Sequence, residues 1–173
     1  IIIKKVNKEV SADEFEKVIQ MMDSKVPIKK ILKSKEYNHI RETLDKYKES
    51  MGMKYVFTMY KNQKGELMYV VDGYNEQTDK EDISMPYDVE TFENMKISKG
   101  IYENKKGEYG DLEKTDEWGS LLTAGEPILK NGKVIGIIAS DLEGQVLYKE
   151  LNKIKMMTIL ITAIATIVAL FVS

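Results

Sequence analysis

The chain has 173 residues and a net charge of −2, with 43% hydrophobic and 31% charged residues, acids and bases mixed throughout. That composition belongs to one folded domain with extensions, not to a disordered chain, and it offers no basic footprint for nucleic acid. With no cysteine and one histidine, disulfide frameworks, thiolate metal sites and Ser-His-Asp schemes drop out, and no cofactor or metal is called for.

Ile1-Ile2-Ile3 followed by Lys4-Lys5 reads as the exit of an earlier membrane span or as the face of an ordinary helix, so residues 1–10 form a membrane-proximal helix end. Ser11 and Glu14 stand at capping-box spacing, and Phe15, Val18, Ile19 and Met22 follow at helical spacing, which predicts an amphipathic helix to about Asp23. Pro27 opens a second helical region. There Ile28, Ile31, Leu32, Tyr37, Ile40, Leu44 and Tyr47 recur at three and four as far as Gly52. His39 sits beside that stripe and, without a second His or a Cys, reads as a surface or packing residue.

From Met53 the period changes to two. Residues 54–61 and 66–73 form a hairpin around the turn at 62–65, with Tyr55, Phe57 and Met59 on one side of the first strand. In the second, Leu67, Tyr69 and Val71 stand opposite Met68, Val70 and Asp72. Residues 74–84 lose all periodicity and read as a solvated loop whose acids lack EF-hand spacing. Asp88 is placed to cap a short helix over 88–99, with Val89, Phe92 and Met95 inward and Gly100 as its stop. Residues 101–112 read as one irregular strand.

The most informative stretch is 118–142. Two apolar runs flank Asn131-Gly132, the preferred pair for a two-residue type I′ turn, in which both central residues need positive φ. A regular register then pairs Lys130 with Lys133, Ile128 with Ile135, Ala124 with Ala139 and Leu122 with Asp141. One face carries Ser120, Leu122, Ala124, Ile128, Ile135, Ile137, Ala139 and Asp141. Because both faces are largely apolar, the hairpin belongs in the middle of a covered sheet.

After Leu142 the helical period returns. Residues 143–155 form an exit helix, and residues 156–172 contain no charge. Seventeen residues of helix span about 25 Å against a hydrocarbon core of about 30 Å, which predicts a transmembrane helix cut short at 173. Lysines flank the domain at both ends, but a loop of roughly 150 residues is too long for charge to set its sidedness. The fold class expected is α+β: a PAS-like antiparallel sheet of about five strands with N-terminal helices on one face, followed by the C-terminal transmembrane helix.

In TDEWGSLLTAGEPILKNGKVIGIIASDL the sequence resembles the end of a single Cache domain, the PAS-like extracytoplasmic sensor of bacterial methyl-accepting chemotaxis receptors. Pro127-Ile128, Gly132, Gly136, Ile137, Asp141 and Leu142 match that family's closing strands, with Gly125-Glu126 where the family places an alanine before the proline. VSADEFEKVIQ and MKYVFTMYKNQKGELMYVVDG resemble its early helix and first hairpin, so the likeness covers nearly all of 10–142. The resemblance implies a sensor domain over 11–142 with a ligand cleft on one sheet face, a homodimer through membrane-proximal helices, and a signal leaving by the C-terminal helix. It also implies that the residue matching Asp141 contacts the ligand, although the Arg-Trp-Tyr cluster of the amino-acid-binding subclass is missing. Histidine kinases, cyclic-dinucleotide enzymes and membrane-tethered binding proteins are the alternative settings, and the sequence after residue 173 would separate them.

Asp141 ends an otherwise apolar strand, where a carboxylate without a partner costs several kcal/mol. Two partners are open to it: a ligand cation or hydroxyl, or the exit helix, for which Ser140-Asp141-Leu142-Glu143 forms a capping box. Ser120 and Trp118 share its face in the regular register. Phe57, Tyr69 and Asp72 join from the other hairpin, and Tyr87 is placed to close the pocket. No nucleophile elbow, paired histidine or phosphate-cradling glycine loop is present, so an enzyme is not expected.

Overall fold

The computed structural model of the chain describes residues 2–77, 83–90, 95–115 and 119–172. Four helices come first: α1 (Ile2–Glu9), α2 (Ala12–Asp23), the single turn α3 (Ile28–Ile31) and α4 (Lys35–Met51). Strands β1 (Tyr55–Lys61) and β2 (Leu67–Asp72) form the first hairpin, and α5 (Met95–Asn104) crosses to β3 (Glu108–Thr115). The long hairpin of β4 (Gly119–Lys130) and β5 (Lys133–Glu143) leads directly into α6 (Gly144–Val172). The five strands are antiparallel in the order β2-β1-β5-β4-β3, so the last strand lies at the centre beside the first. That order and the segregated helices make the domain PAS-like α+β, as the sequence predicts.

Local chemistry explains where the N-terminal helices begin and end. Ser11 Oγ accepts from Glu14 N at 3.3 Å, and Ser34 Oγ accepts from Tyr37 N at 3.3 Å, so each serine satisfies an otherwise orphan amide. Glu14 does not complete a reciprocal box; its Oε2 lies 2.7 Å from His39 Nδ1 at the surface. The second helical region is two helices, because Ser34 restarts the chain after α3, and Gly52 at φ 62 ends α4 in the left-handed conformation.

Three of these helices fill one face of the sheet. Val6, Phe15, Val18, Ile40 and Leu44 pack on Val56, Tyr60, Val70, Ile128 and Ile138 in one continuous core. Phe15 lies so close over Gly136 that a Cβ there would stand 2.2 Å from its ring. The glycine is therefore a packing requirement. Ile3 is buried in this core too, so the start of α1 is a helix face packed on the domain.

Two sequence expectations are corrected. The central hairpin turns at Asn131 (φ 51) and Gly132 (φ 73) with Lys130 opposite Lys133, as expected. A bulge then intervenes: Leu129 faces Val134 but Ile128 faces Gly136, leaving Ile135 unpaired. Every later pair is displaced by one, so Asp141 faces Thr123, Ala124 faces Ser140 and Leu122 faces Leu142. A one-residue slip exchanges the two faces.

The second correction concerns the helix placed at 88–99. Tyr69 N donates to Asp88 O and Glu90 N donates to Leu67 O, which lays 88–90 along the edge of β2, where Val89 bridges Met68. Asp88 Oδ2 accepts from Met85 N and so closes a turn instead of capping a helix. The helix is Met95–Asn104, with Gly100 inside it, and β3 begins only at Glu108. Val89 is half-exposed, and Phe92 lies outside the described residues.

The exit helix runs unbroken from Gly144 to Val172. Its side chains over 151–169 are all exposed, including Leu151, Ile154, Met157, Leu160, Ile161 and Ile164. It is long and apolar enough to cross a bilayer, and nothing of that stretch packs back on the domain.

Candidate functional site

The second face of the sheet is covered differently. Phe57, Met59, Ile137 and Ala139 form a small apolar cluster with Leu67 and Ile101, and Tyr55, Tyr69, Ile97 and Tyr102 pack around it. Among the described residues only α5 lies over this face. Ile101 anchors it, fully buried, where Gly125 gives it room: a Cβ on Gly125 would stand 2.8 Å from Ile101 Cδ1. Gly125 is thus the seat of this helix, while Glu126 turns to the other face beside Lys4.

Asp141 belongs to this face. It lies inside β5, paired with Tyr55 on one side and Thr123 on the other, and its carbonyl accepts from Lys54 N at 2.9 Å. The capping-box reading is therefore overturned: Ser140 and Asp141 are strand residues, and the helix begins three positions later. Only 6% of Asp141 is exposed, and Thr123 Oγ1 donates to its Oδ1 at 2.6 Å. A hydroxyl donor of this kind fixes the carboxylate's orientation without neutralising it.

Thr123 also lines a cleft of about 330 Å³ between α5 and strands β3 and β4. Ile97 and Leu121 supply its apolar walls, and Lys96, Asn104, Glu108 and Asp111 supply polar groups. Its size and its mixture of apolar wall with a few polar groups are those of a small-molecule site. Asn104 Nδ2 donates to Glu108 Oε1 at 3.1 Å across its mouth.

The candidate residues divide. Phe57 and Tyr69 share Asp141's face, their ring centroids 5.4 Å apart, and Tyr69 Oη donates to Glu90 Oε2 at 2.6 Å. Asp72 pairs with Phe57 from the edge strand β2; Ser84 N donates to its Oδ2 at 3.0 Å, and its charge adds to the burial that raises the Tyr37 phenol's pKa. Ser120 is on the opposite face, its Cβ beside Gly144 at the root of α6, because of the bulge. Tyr87 is on the helix-packed side and donates to Val26 O at 2.7 Å, so it packs there and does not close the cleft. Trp118 lies outside the described residues.

Sequence reasoning missed Thr123 and the α5 wall. The correct register would have found Thr123 as Asp141's cross-strand partner; the helix expected over 88–99 overlaps only the first half of α5. Among the described residues no group of three or more His, Cys, Asp or Glu is arranged to hold a metal.

No protein-family model matches the sequence, and no curated protein matches it. Similar solved structures include the ligand-binding domain of the Campylobacter jejuni chemoreceptor Tlp3 in complex with 4-methylisoleucine, at 16% identity and a TM-score of 0.42 over 84% of this chain and 62% of that one. The same domain in complex with L-valine gives 18% identity and 0.41 over 84% and 63%. A GAF domain from Acinetobacter phosphoenolpyruvate-protein phosphotransferase gives 12% identity and 0.40 over 76% and 75%. The chain spans less than two thirds of the Tlp3 domain's length. At these identities the likeness concerns the fold alone, and the strand order is what assigns the fold.

Proposed function

We propose that this chain is the ligand-sensing domain of a membrane receptor, with its sensor part outside the cytoplasm and a small molecule bound between α5 and the sheet. The observation that carries this reading is the position of Asp141. Its buried carboxylate accepts from Thr123, which lines the cleft, and Asp141 stands three residues before Gly144, the first residue of α6. A ligand engaging Thr123 and Asp141 acts on the end of the sheet just before a helix that is long and apolar enough to cross a bilayer.

The coupling is mechanical. Ligand binding shifts α6 only by the difference in affinity between two arrangements of the β4–β5 end, so a ligand that contacts this end in one arrangement and not the other suffices. The continuous helix transmits the displacement without a hinge. Pairing of two copies through their membrane-proximal helices, as the sequence resemblance implies, gives the displacement something to act against.

The test is a thermal-shift panel of amino acids, amines, carboxylates and purines on the full chain in detergent. A binder present at a hundred times its Kd adds about 2.7 kcal/mol of stability. Asp141→Asn, which keeps the shape and removes the charge, is expected to abolish the shift given by that compound. An unchanged shift in Asp141→Asn contradicts the assignment of this site.

A further inference from the structure

The opposite flank of α5 carries a second opening. A pocket of about 340 Å³ lies between the start of α5 and the β1–β2 turn, lined by Lys61, Leu67, Lys96, Ser98, Lys99 and Tyr102. It shares only Lys96 with the Thr123 cleft. Leu67 and Ser98 are buried, giving the pocket a closed floor, and its lining is mostly hydrocarbon.

Among the described residues its charged lining is Lys61, Lys96 and Lys99 and includes no carboxylate. Lys99 Nζ stands 4.0 Å from Glu103 at the largely exposed surface. Lys96 and Lys99 both stand on α5, three residues apart. Lys61 Nζ stands 6.0 Å from the centre of the Tyr102 ring.

Tyr102 completes the chemistry. Its Oη accepts from Lys61 N at 2.9 Å, and among the described residues its own hydrogen has no acceptor. Burial pushes its pKa up to about 12, so the hydroxyl stays protonated and available as a donor. A neutral donor and three cations around an apolar floor describe a receptacle for a negatively charged head on an apolar body.

We propose that this pocket binds a small organic carboxylate, its carboxylate received by Tyr102 Oη and the lysine rim and its apolar part against Leu67. The site is independent of Asp141. It places a second ligand on the other side of α5 from the Thr123 cleft.

Isothermal titration of the full chain in phosphatidylcholine nanodiscs with sodium benzoate, benzyl alcohol and inorganic phosphate tests this, with empty nanodiscs as the blank. Benzoate is expected to bind saturably, and the Lys61→Gln/Lys99→Gln double variant to weaken it about tenfold, in line with two lost charge-assisted contacts. Tyr102→Phe, which keeps the ring, is expected to weaken it by about threefold to tenfold for one lost hydrogen bond. Benzyl alcohol and phosphate, each lacking one half of the chemistry, are expected to bind more weakly than benzoate. Asp141→Asn leaves benzoate binding unchanged if the two sites are separate. No benzoate binding, equal binding by the double variant, tighter binding of phosphate, or loss of benzoate binding in Asp141→Asn each overturns the proposal.

Discussion

On one face of the sheet, Val56, Tyr60, Val70, Ile128 and Ile138 meet side chains from three helices. On the other, Phe57, Met59, Ile137 and Ala139 meet, among the described residues, a single helix of ten residues, with an oriented carboxylate at one end and an opening along each flank. The same five strands thus present a filled face and a partly filled one. Burial of apolar area stabilises the domain from the first side, and the second keeps the concavity and polar groups that recognition needs.

The contrast breaks most visibly at Phe15. Removing its fully buried ring from over Gly136 leaves a cavity that backbone cannot fill, so Phe15→Ala is expected to cost about 3–5 kcal/mol in chemical denaturation. An equally buried side chain on the other face, Ile101, is expected to cost less. Ile101→Ala should lose about 2 kcal/mol, the low end for such a change, because α5 can settle toward the open cleft. Equal losses for the two variants would mean that both faces are equally rigid.

A smaller effect sharpens the picture at the site. Thr123→Val keeps the shape and removes the donor from a buried carboxylate, and is expected to cost about 1–3 kcal/mol. In an Asp141→Asn background that loss should largely vanish, and a double-mutant cycle measures the difference. If the two losses simply add, the Thr123 hydroxyl does not hold Asp141.

The smallest effect has the opposite sign. Burial holds the Glu126 carboxyl above the usual carboxylate range, against the pull of Lys4 at 3.9 Å. A raised pKa in the folded state means that the folded chain keeps its proton while the unfolded chain loses it, so stability falls as pH rises through that interval. Glu126→Gln is therefore expected to melt slightly higher than the parent at pH 7 and at the same temperature below about pH 4, where both states are protonated. A lower melting temperature at pH 7 would show that the Lys4 contact outweighs burial.

What the sequence revealed followed the range of the forces involved. The Asn131-Gly132 turn, the Ser11 cap and the Gly52 stop are set by residues within a few positions, and each was readable. The α+β class with about five strands was readable through the resemblance and the period changes, and the central place of the long hairpin through its two apolar faces. The bulge at Ile135 was not, because both faces of the hairpin are apolar and alternation carries no register information there. That single residue moved Ser120 away from Asp141 and put Thr123 in its place. The helix over 88–99 failed for a long-range reason, since Asp88 and Glu90 bond to the edge of β2. No local pattern marks a segment that borrows its hydrogen bonds from a distant strand.

Hydrogen exchange on the full chain in nanodiscs, with and without the compound that gives the largest Asp141-dependent thermal shift, tests the two-face account most directly. Added protection is predicted in residues 95–104, around Thr123 and Asp141, and in the first turns of α6, with α2 and α4 unchanged. Protection confined to α2 and α4, with those segments exchanging as before, would contradict it.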